Sequence, residues 1–194
     1  VGTYFKNQNL INTSRSFLLN SGANQLYGSF LISTFKTPQQ LHDFIMPMIS
    51  SDLPSIDKAH CDRVFNLIRA SIHMQGWDFL KSPSFMVKCA ALVDRAAPDD
   101  IKTAFIDQMD SFLEANSTEK KIADICFKRD LSSIDKIALL DAEMPDDQTA
   151  RFVKMVYMVD LDQSQLSSSR MLLVRSQQLL QQGLYDLATP VIEQ

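Results

Sequence analysis

Three histidines, three cysteines, five glycines and a single tryptophan are spread over 194 residues, and almost none of that supply is grouped. No glycine-rich loop stands ready to cradle a phosphate. No Cys-x-x-Cys or His-x-x-x-His pair offers the compact ligand spacing of a zinc site, and no nucleophile motif occurs. Long hydrophobic runs are missing as well. The strongest apolar stretch, residues 26–35, is too short to cross a bilayer and is interrupted by Gly28 and Ser29. Basic clusters are also scarce: 19 Lys and Arg face 23 Asp and Glu, for a net charge of −4. Phosphate neutralisation needs clustered cations, so this balance argues against general nucleic-acid binding.

The cysteines Cys61, Cys89 and Cys126 are odd in number and widely spaced. A secreted disulfide scaffold needs pairs, so free thiols in a reducing compartment are expected. The first residues lack the charged, then apolar, then small-residue order of a signal peptide. Together these features point to a cytoplasmic protein with no direct membrane insertion.

What the chain has in quantity is helix punctuation. Thr37-Pro38-Gln39-Gln40 combines a cap residue, proline at the first helical position and glutamine three residues after the cap. Ser82-Pro83 repeats the cap and proline, while Ala97-Pro98-Asp99-Asp100 and Met144-Pro145-Asp146-Asp147 place proline and acids in a first turn. Proline loses no hydrogen bond there, because the first amides of a helix have no intrahelical partner. The acids offset the positive end of the helix macrodipole.

Apolar residues follow these starts at helical spacing. Leu41, Phe44, Ile45, Met48 and Ile49 form one stripe, with Pro47 expected to kink or end the helix. Ser55 is a plausible cap for a helix carrying Cys61, Val64, Phe65, Ile68 and Ile72, and Gly76 suits its end. Met86, Cys89, Ala90 and Val93 follow Pro83. Ile101, Phe105, Met109, Phe112 and Leu113 follow Pro98 and should face inward. Ile122, Ile125 and Cys126 follow the turn Asn116-Ser117-Thr118-Glu119, then Ile134, Ile137 and Ala138 mark a short helix. Pro145 is expected to begin a helix with Phe152, Val153, Val156 and Tyr157 on one side. Another helix is expected to run from about Asp162 or Ser164 to Gly183. Residues 23–35 fit a helical face but would also suit a strand.

The expectation is an all-α chain: one compact domain of eight or nine helices over residues 1–194, with the turn near Asn116 the place for any subdomain boundary. Gly183 with Tyr185 and Ala188 resembles the inter-helix turn of tetratricopeptide-type repeats, but no second copy occurs at a period of about 34 residues.

Candidate chemistry is thin. His60, Cys61, Asp62 and His73 are the place to look for a site assembled from distant residues, and a helical enzyme built around them is the alternative reading. His60 and Cys61, adjacent on a helix, point about 100° apart, and the cysteines lie on apolar stripes where a thiol behaves as a small hydrophobe. The carboxylate pairs Asp99-Asp100, Asp146-Asp147 and Asp160/Asp162 sit at element ends rather than in a buried setting that would raise a pKa. A helix-turn-helix regulator would need a basic recognition helix, and residues 120–129, the best available, also carry Asp124. No cofactor or metal is expected.

The stretch Phe152-Val153-Lys154-Met155-Val156-Tyr157-Met158-Val159 is apolar on nearly every side, so it must be central to the fold or covered by a partner. Met155, Tyr157 and Met158 are the expected anchors for a protein partner, a helical or extended segment. Trp77, beside Phe79 and Leu80, fits a core anchor. Small size, acidity and the Gln-rich segment Ser176-Gln177-Gln178-Leu179-Leu180-Gln181-Gln182 give the chain a character that resembles the small acidic adaptor and chaperone subunits of bacterial type IV (Dot/Icm) secretion coupling complexes. The resemblance implies a non-enzymatic adaptor that takes part in recruiting secretion substrates. It transfers no site residue.

Overall fold

Thr37 opens the first helix as the sequence predicts: its hydroxyl accepts from the amide of Gln40, with Pro38 in the first turn. Gln40 answers by accepting from the amide of Lys36 at 2.9 Å. The structure, a computed structural model, describes residues 33–53, 56–80 and 82–161. Among them are seven α-helices, one 3₁₀ turn and no strand. Residues 23–32 of the stripe expected over 23–35, the helix expected after Asp162 and the Gln-rich segment lie outside the described residues.

Helix α1, Pro38–Ile45, passes into a 3₁₀ turn, Met46–Ile49. Pro47 has no amide to extend the α-helical ladder, so the hydrogen-bonding pattern tightens there. Helix α2, Lys58–Gln75, is capped by Asp57, whose carboxylate accepts from the amide of His60 at 2.6 Å. The cap of this helix is Asp57; Ser55, the expected cap, lies outside the described residues. Gly76 closes α2 at φ 68°, a backbone state that disfavours any residue with a Cβ.

Helix α3, Pro83–Ala96, starts on Ser82 and is the centre of the molecule. All nine residues from Phe85 to Val93 are buried, including Lys88. Helices α2, α4, α5 and α7 and the 3₁₀ turn all pack on it. Being covered on every side explains why α3 is apolar around its circumference.

Helix α4, Asp99–Phe112, carries Asp99 and Asp100 in its first turn. Phe105 and Met109 are buried, but Phe112 is 43% exposed and does not face inward as its spacing suggested. Trp77 meets Phe105 edge-on, with ring centroids 5.5 Å apart, and so joins the end of α2 to α4. Helix α5, Thr118–Cys126, is capped by Ser117. Helix α6, Ser133–Glu143, carries a reciprocal capping box in which Ser132 and Asp135 satisfy each other's backbone amides.

Helix α7, Gln148–Met158, begins three residues later than expected. Pro145 and Asp146 lie in a turn, and Asp147 is the cap, accepting from Ala150 at 2.8 Å. Helix α7 packs against both α3 and α6, and α5 also touches α6. Buried residues on both sides of the turn at Asn116 belong to one hydrophobic cluster. No helix among the described residues is long and apolar enough to cross a membrane.

Candidate functional site

At the far end of α3 the apolar run stops and two charged residues, Asp94 and Arg95, come next. Each becomes the centre of a polar network. Asp94 Oδ2 accepts from Lys136 Nζ on α6 at 2.7 Å and from the Tyr157 hydroxyl on α7 at 2.8 Å. Lys136 Nζ also donates to the Cys126 carbonyl at the end of α5, at 2.5 Å, and lies 5.1 Å from the centre of the Tyr157 ring. Three helices thus meet at one carboxylate, and the end of a fourth is tied in through Lys136. The Lys136 side chain is only 8% exposed and that of Asp94 13%, so this pair works in a medium where losing either member would strand a charge.

Arg95 turns the other way. Its guanidinium holds both carboxylate oxygens of Asp160, at 2.6 and 2.9 Å, and Asp62 of α2 at 2.8 Å. The bond to Asp160 is the largest of the influences that raise the Arg95 pKa further above its ordinary value, and it outweighs desolvation. A bidentate pair of this kind is both strong and directional.

Between these networks opens a pocket of about 370 Å³. Asp94, Arg95, Tyr157 and Asp160 contribute to its walls, joined by Lys102 of α4, Arg129 of the α5–α6 connection and the apolar surfaces of Ile106 and Phe127. That volume falls within the range of small-molecule sites. Lys102 Nζ stands 4.0 Å from Asp94 Oδ1, beyond hydrogen-bond distance.

The expected site residues fare differently. Met158 is 37% exposed at the end of α7. Met155, one turn earlier on the same face, is half-buried against the core. Tyr157 is not a surface anchor: it is 3% exposed, and its hydroxyl is committed to Asp94. Burial, with charge and hydrogen bonding at Cys126 and Asp94, pushes its pKa well up. The helical turn accounts for the contrast: Val156 and Tyr157 share the buried face, and Met158, a further turn of about 100° round the helix, falls off it.

The set His60, Cys61, Asp62 and His73 does not converge. His73 is exposed near the C-terminal end of α2, thirteen residues or about 20 Å along the helix from His60. His60 Nε2 lies 2.7 Å from the Met48 carbonyl, and Asp62 is held by Arg95. Cys61 is buried, and desolvation pushes its thiol up to about 11. Cys126 is pushed up to about 12 and Cys89 higher still, both chiefly by burial. All three are free thiols. Among the described residues no cluster of three or more His, Cys, Asp or Glu side chains could hold a metal ion. Lys120, in the segment weighed as a recognition helix, is spent on Asp110 at 3.1 Å and on Asp124.

The networks escaped sequence reasoning because Asp94 and Arg95 lie 33 to 65 positions from the side chains they hold. One signal was available: Lys136 sits directly before buried Ile137, on the inward side of a short helix. Comparison with family models, curated proteins and solved structures found no match to this chain.

Proposed function

We propose that the protein is a non-enzymatic adaptor that binds a protein segment on the outer face of α7, around Met155 and Met158. The observation that carries this reading is Met158 itself: α7 buries Phe152, Val153, Val156 and Tyr157, yet leaves a flexible apolar side chain 37% exposed beside half-buried Met155. Methionine adapts its shape to different apolar surfaces and is favoured where a partner helix or extended peptide must be accommodated. The rigid attachment of Tyr157 to Asp94 keeps that face turned outward.

The chemistry around the candidate nucleophiles supports a binding role over a catalytic one. Buried thiols with raised pKa values hold little thiolate at neutral pH, and the two histidines of the alternative enzyme reading are separated along α2. A net charge of −4 favours a protein partner over nucleic acid. The resemblance to acidic type IV secretion adaptors suggests a cytoplasmic setting and a secretion substrate or coupling subunit as partner.

Affinity capture from the native cell, comparing the natural chain with Met158→Asp, tests the reading. A stoichiometric, salt-resistant partner that is lost from the variant while its melting temperature is unchanged is the expected result. Equal recovery by both chains would sink it.

A further inference from the structure

The pocket below Asp94 and Arg95 has walls of both charge signs, but its carboxylates and its cations are not equally engaged. Asp160 is held through both oxygens by Arg95. Asp94 already accepts from Lys136 and Tyr157. Asp99 stands in the first turn of α4, where the unpaired amides of the helix start offset its charge. Two of the cations are less satisfied. Lys102 is 4.0 Å from its nearest carboxylate oxygen, and among the described residues Arg129 has no ion pair. Both line the pocket, beside the apolar surfaces of Ile106 and Phe127.

We propose that this pocket binds a compact organic anion, its carboxylate or phosphate head between Lys102 and Arg129 and its apolar body on Ile106 and Phe127. Arginine supplies a planar fork suited to two oxygens of such a head, and lysine adds a point charge. A volume of about 370 Å³ is enough for a single-ring ligand with its acid group. The Arg95–Asp160 and Lys136–Asp94 pairs keep the walls in place and need not open to admit it.

Isothermal titration calorimetry of the full chain with phenyl phosphate and with benzoate tests the site, and inorganic phosphate measures the contribution of the ring. Saturable binding of at least one of the two aromatic acids is expected, tighter than that of inorganic phosphate and weakened by added salt. Lys102→Gln and Arg129→Gln should each weaken it roughly tenfold, because each removes a charge-assisted contact to the head. Which acid binds identifies the head group. Absence of saturable binding by both acids would overturn the proposal, as would binding undiminished in both variants. Met158→Asp should leave the titration unchanged, so the site and the partner surface on α7 can fail separately.

Discussion

Asp94 and Lys136 stand 42 positions apart in the chain and meet at 2.7 Å, with Tyr157 on the same carboxylate oxygen. Removing the acid strands a buried ammonium, whereas removing the tyrosine hydroxyl leaves the ion pair intact. Asp94→Ala should therefore destabilise the fold by about 3 kcal/mol or more, and Tyr157→Phe by only about 1 kcal/mol. Urea unfolding of the two single variants and the double variant checks this. Because all three groups share one network, the double variant should cost less than the sum of the singles.

Thiol reactivity gives a second test. Cys61, Cys89 and Cys126 are all buried, and each has its thiol pushed above the ordinary value by desolvation. A maleimide reagent at neutral pH should modify them slowly in the native protein and quickly in denaturant. Rapid native labelling of Cys61 would contradict both its burial and its raised pKa.

The same shifts set a pH dependence. An unfolded thiol gives up its proton near pH 9, whereas the folded Cys61 thiol keeps it to about 11 and Cys126 to about 12. Between those limits the folded state binds more protons than the unfolded one. Stability is thus fully present below pH 9 and falls as the pH rises toward 12. Denaturant midpoints should move down across this window, and replacing Cys61 with Ala should flatten the slope over its lower part.

Gly76 offers a test of backbone conformation alone. A Cβ added there would meet nothing within 4 Å, yet φ is 68° and ψ is −149°. Any loss of stability in Gly76→Ala must come from the dihedral state and not from a clash, and should be about 1 to 3 kcal/mol. An unchanged melting temperature would show that the chain relaxes at this turn without cost.

Local signals wrote most of the helix starts into the sequence. Thr37 and Ser82 cap helices where the proline that follows each of them placed the start. Pro145 misled because proline serves a preceding turn as well as a first helical turn, and Asp147 was the better acceptor. At the start of α2 the cap is Asp57, whose carboxylate accepts from the third amide of the helix. The apolar circumference of α7 pointed to a central or partner-covered helix, whereas the central role falls to α3. No spacing rule could have joined Asp62, Arg95 and Asp160, or Asp94, Lys136 and Tyr157. Those groupings exist only once α2, α6 and α7 have packed around the end of α3.

Trp77, the sole tryptophan, lies edge-on to Phe105, and Phe105 belongs to the same helix as Lys102. Excited at wavelengths that tyrosine does not absorb, the protein therefore has a single built-in optical probe, half-buried at the junction between the end of α2 and α4. A change in its emission would report movement of α4, the helix that supplies one wall of the charged pocket. Unfolding followed by this emission and by far-ultraviolet circular dichroism would show whether that junction opens with the rest of the core or ahead of it.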